Sequence, residues 1–265
     1  MNGLMLHCGG HQVDLPNVRE VNTPNPAGAH FPIAHAALID NVQSAMLDYG
    51  FDITEQAHAI TKGGMAYFGL MSVTPQDADP DSDHGMVVGM RNSHDKTCSA
   101  GLALGHRVFV CDNLCFSGEV RLARKHTRNI MADLPGLIVQ AIGMLSSVRM
   151  QQEERISHYK EFSFDSDTDI HDFLIRSVDA GVVSNARMRK VLEEYREPSH
   201  VEFAEGGPTA WRLLNAFTEC QKGTNLFQLP RVQRRLQGML DLETGLVQGG
   251  LKGVEEFEDA ELVLS

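Results

Sequence analysis

No stretch of this sequence approaches the roughly 18 uninterrupted apolar residues that a membrane helix needs. Its first residues, MNGLMLHCGGHQVD, have neither a basic leader nor an apolar run long enough for a secretory signal. Both absences point to a cytoplasmic protein with no membrane partner. Cysteine is equally sparse: Cys8, Cys98, Cys111, Cys115 and Cys220 are odd in number and follow no regular framework. In a reducing compartment they read as free thiols. Also missing are the phosphate loop G-x-x-x-x-G-K-[ST], a G-x-G-x-x-G after a strand, and the H-E-x-x-H zinc helix. Their absence disfavours an ATPase, a Rossmann oxidoreductase and a zinc protease of that type, and nothing calls for a cofactor.

What is present is an ordinary globular composition, 42% apolar and 22% charged over 265 residues, enough for one large domain or two small ones. The charge is uneven. Of a net −12, residues 1–90 hold two basic and ten acidic residues, 91–130 seven and three, and 131–265 14 and 22. One basic island in an acidic chain suggests a local anion site.

The spacing of apolar and turn residues predicts an α+β protein. An irregular arm runs to about residue 30, followed by an α+β core over 31–130. A helical region covers 131–240 and an acidic tail 241–265. Pro32 opens an amphipathic helix that Gly50 ends. Phe51–Ile60 and Met65–Val73 read as a hairpin around Lys62-Gly63-Gly64. Residues 75–84, with four aspartates and two prolines, read as a mobile loop. Further strands are expected at Met86–Met90, Val108–Cys111 and Glu119–Leu122, giving an antiparallel sheet with a flanking helix. In the second half, Leu134, Ile138, Ala141, Leu145 and Val148 mark a helix that extends towards Lys160. More helices are expected at Asp169–Ala180, Asn185–Glu197, from near Pro208 to before Gly223, and over Arg231–Leu240. Trp211, Phe217 and Tyr195 read as core rather than stacking platforms.

The densest chemistry is RNSHDK, Arg91 to Lys96, at a strand end. Arg and Lys suit anionic oxygens, Asn and Ser donate and accept, and His titrates near neutrality. Ser93, His94 and Asp95 do not converge as a triad, because adjacent residues on an extended chain face opposite ways. A second cluster, Arg121, Arg124, Lys125, His126 and Arg128, matches either a phosphate-contacting surface or a solvated charged face. The pair Cys111 and Cys115, with Cys98 and His94 upstream, lacks the spacing of a zinc ribbon or finger and reads as buried cysteine. HCGGH near the N-terminus is too short to make a metal site.

These residues carry a resemblance. The block GMRNSHDKTCSAGLALGHRVFVCDNLCFSGEVRLARKHTRNI resembles the centre of the DUF932 family of phages and plasmids. The flanks HFPIAHAALIDNV, AYFGL, DLPGL, VLEEYREPSH and TAWRLLNAFTE agree, from about His30 to Leu240. The resemblance implies a mobile-element accessory protein serving recombination, replication or protection against host defence. The element order is also similar to the core of Rad52-like annealing proteins.

The leading expectation is a homo-oligomeric protein that binds nucleic acid, single-stranded DNA among the candidates. Arg91, Lys96, Arg107, Arg121, Arg124, Lys125 and Arg128 would contact phosphates, while Asn92, His94 and Asn113 shape the site. One alternative is an acidic interaction protein that modulates a host defence complex, a protein partner. The other is a phosphoester- or nucleotide-acting enzyme with His94 as acid or base, oriented by Asp95 or Asp112.

Overall fold

The hairpin expected around Lys62-Gly63-Gly64 forms, with both glycines left-handed at φ +64° and +90°. It joins β2 (Phe51–Thr61) to β3 (Ala66–Pro75), in register from Phe51 opposite Pro75 to Thr61 opposite Ala66. The computed structural model describes residues 11–75, 84–108, 113–222 and 228–246. Within these, β4 (His84–Ser93), β5 (Ala100–Val108) and β6 (Asn113–Arg124) follow β3, each antiparallel to the strand before. β1 (His11–Val13) pairs with β2 and completes a six-stranded meander.

Local expectations differ from the structure in the N-terminal arm and at β5. The arm before residue 30 is partly regular: β1 is followed by α1 (Leu15–Arg19), with Pro16 in its first turn. β5 replaces the strand expected at Val108–Cys111, and residues 109–112 lie outside the described ones. Its sequence AGLALGHRV is rich in Ala and Gly, which single-chain propensity does not read as strand. Gly101 is needed there, because a Cβ would sit 2.6 Å from the Leu122 carbonyl of the neighbouring strand. The loop at 75–84 falls largely on residues 76–83, outside the described residues.

One face of the sheet is the main core. Met71, Val88 and Leu104 are aligned across β3, β4 and β5, as are Met90 and Leu102 across β4 and β5. They pack beneath α2 (His35–Asp48), through Leu38, Ile39, Val42 and Met46, and α3 (Ile130–Gly143), through Leu134, Ile138 and Ile142. Burial of this kind stabilises by about 25 cal/mol per Å² of apolar area. α2 begins at His35 rather than Pro32. The Ile33 carbonyl is taken by the Asn92 amide and the His94 ring, so the helix starts beyond it. Gly50, at φ +74°, ends the helix as expected.

The long helix expected through Lys160 is two, α3 and α4 (Leu145–Glu161), meeting at Met144. Gly143 marks the break. It lies under Tyr49, whose hydroxyl would be 3.0 Å from a Cβ at that position. Taken together, Ile130–Glu161 is long and apolar enough to cross a bilayer by length and composition, with a mean hydropathy of 1.4 in its best window. In this fold its inward stripe, Ile130, Leu134, Ile138, Ile142 and Leu145, lies in the core beneath the sheet.

The second half is helical: α5 (Asp167–Asp179), α6 (Asn185–Arg196), α7 (Val201–Glu205), α8 (Ala210–Gln221) and α9 (Leu229–Glu243). Ser166 and Asp169 form a capping box at α5, and Thr209 caps α8. Trp211, Phe217 and Tyr195 are buried in this second core. α8 and α9 rest on β6, and Trp211 stands 6.1 Å from the His106 ring of β5. The helical half therefore packs onto the sheet.

Candidate functional site

The β4–β5 connection is shaped by its own polar side chains. Ser93 Oγ donates to the Cys98 carbonyl at 2.9 Å and accepts from the Cys98 amide at 3.0 Å. Asp95 Oδ1 accepts from the Thr97 amide at 3.1 Å and from its hydroxyl at 2.5 Å. Both interactions are local, so Ser93 and Asp95 hold the turn and do not join His94 in a triad. Lys96, between Asp95 and Thr97, is the one non-glycine at positive φ among the described residues, at +66°. Such a conformation in a side-chain-bearing residue costs of order 1–3 kcal/mol and is concentrated at functional positions.

This turn forms one wall of an open cleft of about 450 Å³. The segment after β6 supplies Lys125, His126 and Thr127, and the N-terminal arm supplies His30. The arm is held by a hydrogen bond of 2.8 Å from the Phe31 amide to the His126 carbonyl. Lys96 and Lys125 are exposed, and neither forms an ion pair among the described residues.

Under the cleft lies a network of histidines around Asn92, which is fully buried. Asn92 Nδ2 donates to the Ile33 carbonyl at 3.0 Å and to His35 Nδ1 at 2.8 Å. That fixes Oδ1 as the acceptor, and His126 Nε2–H donates to it at 2.7 Å. His35 Nε2–H donates to the Gly64 carbonyl at 2.8 Å, His94 Nε2–H to the Ile33 carbonyl at 2.8 Å, and His30 Nε2–H to the His94 carbonyl at 3.0 Å. Each ring thus places its proton on Nε2 by the partner it meets. The rings of His35 and His94 stack at 4.0 Å, within 3° of parallel. Two imidazolium ions would repel at that distance, so the stack disfavours both rings being charged together.

The titration behaviour agrees. Burial first, with the neighbouring His94 and His126, brings His35 down to about 4, partly offset by its bond to Gly64. Burial, then His30 and His94, brings His126 down to about 4. His94 and His58 are lowered, chiefly by burial. Behind His35 stands Tyr67, whose hydroxyl meets His58 Nδ1 at 2.9 Å and whose pKa is raised by burial.

The basic island is divided by this geometry. Lys96 and Lys125 meet at the cleft, and Asn92 and His94 lie beneath it as its buried floor. Arg124 turns away to Asp133 of α3 at 2.5 Å and is only 16% exposed. Arg128 is exposed beyond the cleft. Arg91 lies on the face opposite Asn92, beside Gly101. It shares a cross-strand row with Gly101 and the cleft residue Ala123, two strands or about 10 Å away. Arg107, Asn113 and Arg121 occupy strand positions opposite Leu114, Val108 and Ala103, and their side chains lie outside the described residues.

The sequence reading missed His30 and His35. Their signal was HFPIAH, two histidines flanking a proline, which nothing in one chain connects to Asn92 some 57 residues on from His35. Among the described residues, no three His, Cys, Asp or Glu side chains are grouped to hold a metal ion. Comparison of the chain with protein-family models, curated proteins and solved structures finds no match.

Proposed function

We propose that this chain binds nucleic acid through the cleft between the β4–β5 turn and the segment after β6. The observation that carries the reading is the meeting of Lys96 and Lys125 at one open cleft of an acidic chain, without ion-pair partners among the described residues. Two such cations suit successive phosphates of a strand. Exposed Arg128 lies three residues beyond Lys125 and extends the track, whereas Arg91 lies on the face opposite Asn92. The resemblance to the DUF932 family supports a mobile-element setting, with recombination or replication as the process served. Assembly into a homo-oligomer would align the clefts of several copies.

The test is fluorescence anisotropy with labelled single- and double-stranded oligonucleotides over a salt series. Lys96→Ala with Lys125→Ala is expected to weaken binding about tenfold or more. It also lowers the slope of log K against log salt by about 1.4 for a single strand, since each lost phosphate contact removes about 0.7. Arg124→Ala, whose partner is Asp133, leaves the slope unchanged. If the wild-type chain binds nothing at low salt, the reading fails and the acidic surface becomes the working face.

A further inference from the structure

We infer that the cleft is built for a ribose-bearing strand, with the imidazoles of His30 and His126 accepting hydrogen bonds from a 2′-hydroxyl next to a phosphate held by Lys96 and Lys125. This rests on the nucleic-acid reading and names its ligand class. The argument begins from which nitrogen each ring has already used. His126 Nε2–H is committed to Asn92 Oδ1, whose orientation is locked by the donation from Nδ2 to the Ile33 carbonyl. His30 Nε2–H is committed to the His94 carbonyl. In an imidazole that holds its one proton on Nε2, the remaining nitrogen, Nδ1, carries a lone pair.

His94 Nδ1 is sealed from solvent and unpartnered. Nδ1 of His30 and of His126 is not sealed in this way, has no hydrogen-bond partner among the described residues, and belongs to a ring that lines the cleft. The His126 side chain is nevertheless almost wholly buried, at 6% exposure, so its acceptor is fixed in place. Burial and its neighbours keep it neutral at neutral pH. The two rings stand 5.2 Å apart, tilted by 59°.

The cleft therefore offers two unlike halves. Lys96 and Lys125 attract anionic oxygens. The imidazole acceptors repel them, because a lone pair facing a phosphate oxygen gains nothing. What satisfies both is an anion whose carbon next to the phosphate-ester carbon bears a hydrogen-bond donor. In a polynucleotide backbone that donor is the ribose 2′-hydroxyl, which deoxyribose lacks and which distinguishes RNA from DNA at a single site. Base N–H groups are shared by both polymers and do not discriminate.

Matched uridine oligomers with ribose, deoxyribose and 2′-O-methylribose sugars, at neutral pH and one salt concentration, test this by anisotropy. The ribose strand is expected to bind about three- to tenfold more tightly than either other strand, the range a net hydrogen bond supports. The 2′-O-methyl strand retains the sugar pucker of RNA, loses the donor and gains a methyl group. His126→Gln keeps an N–H for Asn92 and replaces the ring Nδ1 with a carbonyl acceptor placed differently, so the ratio of ribose to deoxyribose affinity should fall. Thermal unfolding checks that this variant is folded, and the comparison of three strands on the wild type needs no variant. Equal affinity for ribose and deoxyribose overturns the inference and leaves the nucleic-acid reading standing. So does a ribose preference that survives 2′-O-methylation. Absence of binding to all three strands overturns both.

Discussion

At the scale of single residues, the interior beneath the cleft is set by what Gly69 lacks. Tyr67 and Gly69 share a face of β3, and His58 lies opposite Gly69 on β2. The Tyr67 ring reaches over the glycine to bond His58, so a Cβ at residue 69 would sit 2.0 Å from the Tyr67 hydroxyl and 2.8 Å from Met90 Cε. Tyr67 in turn stacks on His35 at 5.4 Å, which ties the glycine to the histidine network. Gly69→Ala is expected to destabilise the fold by about 1–3 kcal/mol through overpacking. Urea unfolding measures it, and a double-mutant cycle with Tyr67→Phe identifies the cause, since removing the hydroxyl relieves the closest contact. If Gly69→Ala costs the same in both backgrounds, the overpacking lies elsewhere.

At the scale of elements, the join between α4 and α9 is made by one buried carboxylate. Asp241 accepts from the Tyr159 hydroxyl at 2.5 Å and from Arg155 Nε at 3.0 Å, and the His158 ring donates to the Thr244 carbonyl one turn on. Asp241→Ala should cost roughly 3 kcal/mol, because it leaves a largely buried arginine and a buried hydroxyl without that partner. An unfolding free energy within 0.5 kcal/mol of wild type, about the scale of an ordinary surface change, would deny this clamp its role. Elements of this half were legible because their signals are local. Gly181 follows α5, Pro198 lies just beyond α6, and apolar residues three and four apart run through α3. The hairpin at Gly63-Gly64 was legible for the same reason. β5 was not, since its Gly101 is demanded by the nearness of the β6 backbone, a contact distant in sequence. The position of the basic island was readable, but its division was not. Whether Arg124 meets a phosphate or Asp133 depends on where α3 packs.

For the whole molecule, the histidine floor and the acidic surface act in opposite directions as pH falls. Protonating carboxylates reduces a net charge of −12 and relieves self-repulsion in the compact state. The buried histidines oppose this. Their folded pKa values lie below the unfolded value of about 6.5, at about 4 for His35 and His126 and lowered for His94 and His58. Between these limits the unfolded chain binds more protons than the folded one. The stability is therefore full above about pH 6.5 and is lost as pH falls towards about 4. Each fully shifted histidine contributes up to about 1.4 kcal/mol per pH unit, so His35 and His126 together approach 3 kcal/mol per unit. That is a large share of the 5–15 kcal/mol typical of a folded domain, whereas repulsion among exposed charges is screened by salt beyond about 10 Å. The histidines should win at moderate ionic strength. Urea midpoints measured from about pH 8 to about pH 5 are expected to be flat above 7 and to fall steeply below 6. His126→Gln should make that fall shallower, because one of the two strongly shifted rings is gone. A midpoint that holds or rises towards pH 5 would mean that the network accepts protons without breaking, and that its rings are not held neutral by the fold.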